Sequence, residues 1–206
     1  MILELKHIEL TEQIQEVRRR LAGVEARLEQ IELEDKMPDF EVLLKTVEPQ
    51  WIASTRETLT SWDQDIVGPT FTRMFDEVGE YLGGHNVDAI GPGMAMYHHQ
   101  SPFIDGGTED EHLDVESAMV IGAPMPEDDR VKIRKLPQME VAYTVHHGDF
   151  SGLYLAKQAI FSWLEGKGYR RAGPIRELYL HFDPNHEGNY DSPGHITEIQ
   201  FPVEKN

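Results

Sequence analysis

The sequence predicts an α+β domain made of one unit used twice, preceded by a coiled-coil helix. Two internal correspondences and a heptad seam carry that expectation. Shifting the second half back by 82 positions lays Gly173-Pro174 on Gly91-Pro92, Tyr179 on Tyr97, His181 on His99, Pro184 on Pro102, Gly188 on Gly106 and Glu198 on Glu116. Seven identities at one offset mark an internal repeat, and repeats announce architecture. Upstream, a second offset of 89 sets Val131, Ile133, Leu136 and Ala142 on Val42, Leu44, Val47 and Ala53. Two copies of a mixed unit imply a pseudo-twofold domain with a cleft along its axis. A tyrosine and a glutamate from each copy are expected to converge on that cleft.

The first element is the arm. Leu10, Ile14, Val17, Leu21, Val24, Leu28 and Ile31 alternate spacings of four and three, an a/d seam flanked by charged positions, with Glu16 and Arg20 as a favourable i,i+4 pair. So narrow a stripe suits one partner helix better than a globular core. Met37-Pro38-Asp39 ends it. Residues 1–37 are therefore read as a homodimerisation helix and 38–206 as the domain proper. The seam alone does not decide between parallel and antiparallel pairing.

In the first copy, Phe40 to Val47 alternates and Pro49-Gln50 turns the chain into a second strand, Trp51 to Glu57. Phe71, Met74, Phe75, Val78 and Leu82 recur at helical spacing, with Pro69 suited to a first turn and Gly83-Gly84 as the stop. Strands around Met94 to His98 and Leu113 to Ile121 close the unit. In the second copy the strands are Val131 to Leu136 and Val141 to His146. Its helix carries Leu153, Ala156, Ile160, Trp163 and Leu164, with Ser151 as N-cap and Gly166 or Gly168 as the stop. Strands Ile175 to Phe182 and His195 to Val203 complete it. Helices on one side of a largely antiparallel sheet follow.

Composition narrows the function classes. The chain has 206 residues, no cysteine and a formal charge of −18, which excludes disulfides and thiolate metal sites and opposes a direct grip on nucleic-acid phosphates. No apolar run approaches the roughly 18 residues of a membrane span, and the N-terminus lacks a signal-peptide layout. The reading is a cytoplasmic protein that does not bind membranes. An acidic surface draws in cations.

Side-chain parity selects the candidate site. In the strand around Leu178, the residues Leu178, Leu180 and Phe182 share one face, expected to meet the helix, and Tyr179 and His181 share the other. In the last strand Ile199 and Phe201 face one way, and Ile196, Glu198 and Gln200 the other. Tyr179 and Glu198 are therefore expected on the non-helix face, with Tyr97 and Glu116 as counterparts. A carboxylate between apolar neighbours is costly to bury without a partner, which marks Glu198 and Glu116. His181, Ile196 and Trp62 complete the expected ligand-binding set, whereas Tyr143 between Val141 and Val145 reads as packing. A metal is not expected: His98-His99 and His146-His147 point to opposite faces, and His181, His186, Asp183 and Glu187 offer at most a weak loop site. No cofactor is expected. Gly91-Pro92-Gly93 and Gly106-Gly107 lack the Gly-Lys-Ser/Thr ending of a phosphate loop and read as turns.

Four segments carry a family resemblance: Tyr143-Thr144-Val145-His146-His147-Gly148-Asp149-Phe150, Gly168-Tyr169-Arg170-Arg171-Ala172-Gly173-Pro174, Glu177-Leu178-Tyr179 and Thr197-Glu198-Ile199-Gln200-Phe201-Pro202-Val203. In this order they resemble the GyrI-like (gyrase-inhibitor-like) small-molecule-binding domain from about Asp39 onward. The arm ending Ile31-Glu32-Leu33-Glu34-Asp35-Lys36-Met37-Pro38 resembles the linker helix of MerR family transcription regulators. The resemblance implies two strand-helix-strand-strand units in pseudo-twofold symmetry, antiparallel pairing of linker helices in a homodimer, and a drug-sensing pocket with Glu198 as its acidic residue and Tyr179 and Tyr97 as its aromatic wall. A MerR regulator carries a winged helix-turn-helix before the linker helix, and no such pattern occurs in this sequence. Contact with DNA is therefore expected only through such a domain.

The leading expectation is an effector-binding domain for amphipathic aromatic molecules, preferably cationic. Aromatic faces supply cation-π attraction of about 0.5 to 2 kcal/mol per contact, and a buried glutamate adds the counter-charge. The rival is enzymatic, because some members of the resembled family hydrolyse cyclopropane-bearing electrophiles. In that reading Glu198 activates water and Tyr179 donates to the oxyanion.

Overall fold

Among the described residues the runs of alternating spacing become strands and the runs of helical spacing become helices, with shifted boundaries at the helices. The computed structural model of the chain describes residues 40–59, 64–98, 113–183 and 192–206. The expected dimerisation helix, Trp62, His99, His186, Glu187, the Gly106–Glu111 loop and residues 188–191 of the other loop lie outside these residues.

The first half runs β1 (Leu43–Val47), β2 (Gln50–Leu59), α1 (Gln64–Gly84), β3 (Gly93–Tyr97) and β4 (Leu113–Ile121). The second runs β5 (Lys132–Leu136), β6 (Met139–His147), a 3-10 turn (Phe150–Gly152), α2 (Leu153–Lys167), β7 (Tyr169–Arg171), β8 (Ile175–His181) and β9 (Ile196–Lys205). Pro69 lies inside α1 rather than opening it. The amide hydrogen that Pro69 lacks weakens that turn, and nearby hydroxyls bond to its carbonyls: Thr70 Oγ1 donates to the Ile66 carbonyl at 2.7 Å and Thr72 Oγ1 to that of Gly68 at 3.2 Å. Ser151 is not the cap of α2. It belongs to the preceding 3-10 turn, where the Asp149 carboxylate accepts from its backbone N–H at 2.9 Å. Gly168 ends α2 in the left-handed conformation, φ 71°, its N–H reaching the Leu164 carbonyl.

The strands form one antiparallel sheet in the order β1-β6-β9-β8-β3-β4-β2-β5, with β7 added beside the end of β9. The fold is mixed α+β, as expected from the sequence. β7 was not expected: three residues after a helix stop carry too little pattern to read as a strand. Both helices cover the same face. Phe71 and Met74 of α1 and Leu153, Ala156, Ile160 and Leu164 of α2 bury against Ala95, Tyr97, Val115, Ala142, Ile175, Ile199 and Phe201. Farther along α1, Val78 and Leu82 pack on Ala53 and Ile121. Each large apolar side chain so buried contributes about 1.5 to 3 kcal/mol. The opposite face has its own apolar patch, Ile52, Met94, Met96, Ala118, Val120, Leu136 and Leu178. Among the described residues no helix is long and apolar enough to cross a membrane.

Candidate ligand-binding site

The central strand pair, β3 and β8, sets the geometry. Its register places Gly93 opposite Tyr179, Ala95 opposite Glu177 and Tyr97 opposite Ile175. Opposed residues of an antiparallel pair share a face, so Tyr97, Glu177 and Tyr179 all lie on the helix face, beside the buried Ala95 and Ile175. Small residues at positions 93 and 95 leave the space. A Cβ on Gly93 would stand 3.2 Å from the Phe75 ring, so glycine is what lets that ring close over the strand pair.

Glu177 is only 2% exposed. Its Oε2 accepts from the Tyr97 hydroxyl at 3.0 Å and from the Tyr179 hydroxyl at 3.1 Å. The Lys157 ammonium, reaching down from α2, stands 2.5 Å from Oε1 and 4.4 Å from the centroid of the Tyr97 ring. Burial, with the charge of Glu177 beside it, pushes the Tyr97 phenol well above its ordinary pKa and keeps it a donor. Aromatic rings wall the group: Phe71 lies 5.8 Å from Tyr97, Phe75 meets Tyr179 edge-on at 5.8 Å, and Phe150 stacks on Tyr179 at 5.4 Å. Phe150 continues the wall to His195 at 4.8 Å.

The two glutamates singled out by the repeat lie on the other face. Glu198 stands opposite Leu178 and Val145, and Glu116 opposite Met96 and Arg56. Glu198 therefore does not meet Tyr179, contrary to the parity expectation. The error lies in β8, not β9. Ile199 and Phe201 do face the helices, but so do Ile175, Glu177 and Tyr179, while Leu180 is 49% and Phe182 44% exposed. Apolar character ranked the leucines as the inward set, yet the helix face of β8 is an aromatic wall around a buried carboxylate. A register shift between Tyr179 and His181 then sets exposed His181 opposite Ile196, off the face of Tyr179.

On this second face each carboxylate meets a cation from an edge strand. Arg134 of β5 places Nη2 2.8 and 2.7 Å from the two oxygens of Glu116, and His98 Nε2 stands 2.7 Å from Oε2. Lys45 of β1 reaches Glu198 Oε1 at 2.5 Å and lies over the half-buried ring of Tyr143 at 4.3 Å. Gln200 Nε2 donates to the same Glu198 oxygen at 2.5 Å. Ile196, two residues before Glu198 on β9, lies on the same face of that strand. Both glutamates are thus neutralised within the sheet.

The family model of the GyrI-like small molecule binding domain matches residues 40–204. The chain belongs to the GyrI-like family. No curated protein sequence matches it. The GyrI-like chain is similar to EcmrR in its complex with DNA, with a TM-score of 0.68 at 20% identity over 100% of this chain and 72% of that one. The EcmrR C-terminal domain alone gives 0.65 at 20% identity, covering 82% of this chain and all of that one. SAV2435 bound to tetraphenylphosphonium gives 0.54 at 14% identity, over 80% and 94% of the two chains. A hydrolase from Listeria innocua gives 0.51 at 14% identity, over 85% and 97%. At these identities the likeness shows the shared fold.

Two residues of this GyrI-like site escaped the sequence reading. Glu177 satisfies the same test that marked Glu198, a carboxylate flanked two residues away by Ile175 and Tyr179. Its partner at the 82-residue offset is Ala95, so the repeat could not flag it. Lys157 sits on the flank of the buried stripe Leu153, Ala156 and Ile160, where a lysine stem is ordinary.

A buried guanidinium adds a stability prediction. Arg176 is 2% exposed, its Nε and Nη1 have no hydrogen-bond partner among the described residues, and burial together with the charge of Arg134 lowers its pKa to about 10. A base whose folded pKa is depressed opposes folding while protonated. Arg176→Met is expected to stabilise the domain by roughly 1 to 4 kcal/mol at pH 7, read by urea denaturation. A loss of stability would show that the guanidinium has a partner.

Proposed function

We propose that this GyrI-like domain is the effector-binding portion of a MerR-type transcription regulator and takes amphipathic aromatic cations on its helix face. The observation that carries the reading is Glu177, a buried carboxylate held by two tyrosine hydroxyls inside an aromatic wall. Such a group gives a cation a counter-charge, ring faces for cation-π contact and apolar area for the remainder of the ligand. The residues proposed to bind are Glu177, Tyr97 and Tyr179, with Phe75 and Phe150 as walls. Glu198, Glu116 and Ile196 are assigned instead to the polar lattice of the opposite face.

Several features support this assignment. The sheet order reads the same from either end when each strand is exchanged for its counterpart in the other half, β1 for β5, β2 for β6, β3 for β8 and β4 for β9. Ala95 and Glu177, counterparts at the 82-residue offset, face each other, so the proposed axis of a doubled unit runs through the site. The pairs Leu44 with Ala142 and Ala53 with Ile133 obey the second offset in the same way. Similarity to a structure bound to tetraphenylphosphonium supports a cationic ligand, and similarity to a DNA complex supports a regulator. The same proposal includes homodimerisation through the N-terminal helix, cytoplasmic placement, and DNA contact through a winged helix-turn-helix domain rather than through this acidic one. Binding is preferred to turnover because the likeness to EcmrR and its C-terminal domain, at TM-scores of 0.68 and 0.65, exceeds that to the hydrolase at 0.51.

Calorimetric titration with tetraphenylphosphonium and with neutral triphenylphosphine oxide tests the reading. The account expects saturable binding that favours the cation and is unchanged in Glu198→Gln. Absence of binding, or equal affinity for both probes, removes the charge-recognition argument.

A further inference from the structure

The proposed cation site already contains a cation. Lys157 is one of the least exposed lysines described, its side chain 12% exposed, and its ammonium sits where a cationic ligand would have to sit, 2.5 Å from a Glu177 oxygen and over the face of Tyr97. Two features separate the lysine contact from the fixed tyrosine contacts. The ammonium stands at Glu177 Oε1, whereas both tyrosine hydroxyls donate to Oε2, so the hydroxyl contacts do not depend on the lysine. The lysine also comes from a helix on a flexible four-carbon stem, while both tyrosines rise from the strands beside the carboxylate.

We infer that Lys157 is a tethered counter-cation that fills the cation subsite in the empty protein and that a ligand must displace it. The inference rests on the proposed binding function and deepens it. A tethered ammonium keeps the buried carboxylate neutralised without a ligand, which relieves the cost of burying that charge alone. It also sets a selectivity threshold. A neutral aromatic leaves the Lys157–Glu177 pair in place and gains only wall contacts. A cation gains the carboxylate, but only in proportion to the fraction of molecules in which Lys157 has swung away, so the apparent dissociation constant is raised by the reciprocal of that fraction. A small hydrated cation cannot offset the loss of the lysine contact with ring area. A bulky aromatic cation can, so the lysine selects for ligands that are both charged and large.

The test titrates tetraphenylphosphonium and triphenylphosphine oxide into the full chain and into Lys157→Met, Lys157→Gln and Lys157→Arg. Removing the competitor while keeping the stem volume is expected to tighten tetraphenylphosphonium at least about tenfold in Lys157→Met, with Lys157→Gln following in the same direction. The neutral probe should change less than about twofold. Lys157→Arg, whose guanidinium holds a carboxylate through two nitrogens, should not tighten binding. A separate readout follows the lysine itself. On adding tetraphenylphosphonium to the unmodified chain, Lys157 should become more reactive toward reductive methylation, scored by peptide mass spectrometry, because the ligand expels it to solvent.

The outcomes separate the two levels. Cation binding that depends on Glu177 but is equal or weaker in both Lys157→Met and Lys157→Gln, with Lys157 protected by ligand, overturns the tethered-cation inference and leaves the site standing. No cation binding in any variant overturns the site and the inference together. Cation binding that is present in the unmodified chain and tightens when Lys157 is removed supports both.

Discussion

Glu177→Gln is expected to weaken tetraphenylphosphonium binding by at least about thirtyfold, some 2 kcal/mol, while changing triphenylphosphine oxide by less than about threefold. Two effects act with the same sign. The substitution removes the negative charge that Tyr97 and Tyr179 hold inside the wall, and it leaves the Lys157 ammonium unneutralised beside the incoming cation. The shape is preserved, since glutamine keeps an acceptor for the hydroxyls of Tyr97 and Tyr179. A neutral ligand senses shape and apolar area, which the variant retains. Equal loss for both probes would mean that the substitution disturbed packing, and no loss for either would remove Glu177 from the site.

The second large effect lies on the opposite face and concerns stability. Burial alone would raise the pKa of Glu116, but hydrogen bonds from His98, Arg134 and Ser54, with the charge of Arg134, overcome it and bring the carboxyl from 4.5 down to about 2. A carboxyl whose folded pKa is depressed stabilises the fold above the unfolded value, and that contribution is lost as pH falls through the folded value. The window here is pH 4.5 to about 2, and the shift corresponds to about 3 kcal/mol. Glu116→Gln should therefore lower stability at pH 7 by about that amount and flatten the decline between pH 4.5 and 2. Urea denaturation of both proteins across this range checks it. Parallel curves would show that the ion pair with Arg134 carries no net stability.

How much was legible before the structure depends on the kind of signal. Helix faces and the antiparallel α+β class followed from spacing, because Phe71, Met74, Val78 and Leu82, like Leu153, Ala156, Ile160 and Leu164, bury one stripe each. β9 was read with the correct inward face for the same reason. β8 was inverted because Leu178, Leu180 and Phe182 outrank Tyr179 on any apolar scale, yet a binding face is where an aromatic wall and a charge are expected to displace aliphatic packing. The repeat pointed to Tyr97 and Tyr179, which do share one carboxylate, and to Glu116 and Glu198, which each meet an edge-strand cation. It could not reveal Glu177, because the residue 82 positions earlier is Ala95. Nor could any linear pattern reveal Lys157, whose contact with Glu177 joins α2 to the central strands across 20 residues of sequence.

The central claim is that the ligand sits on the helix face against Glu177. A crystal structure of the chain soaked with tetraphenylphosphonium tests it most directly. The account predicts the phosphonium within about 6 Å of the Tyr97 or Tyr179 ring centroid, beside Glu177, with Lys157 turned out toward solvent. A ligand seated instead against Glu198 and Tyr143 on the other face would contradict it.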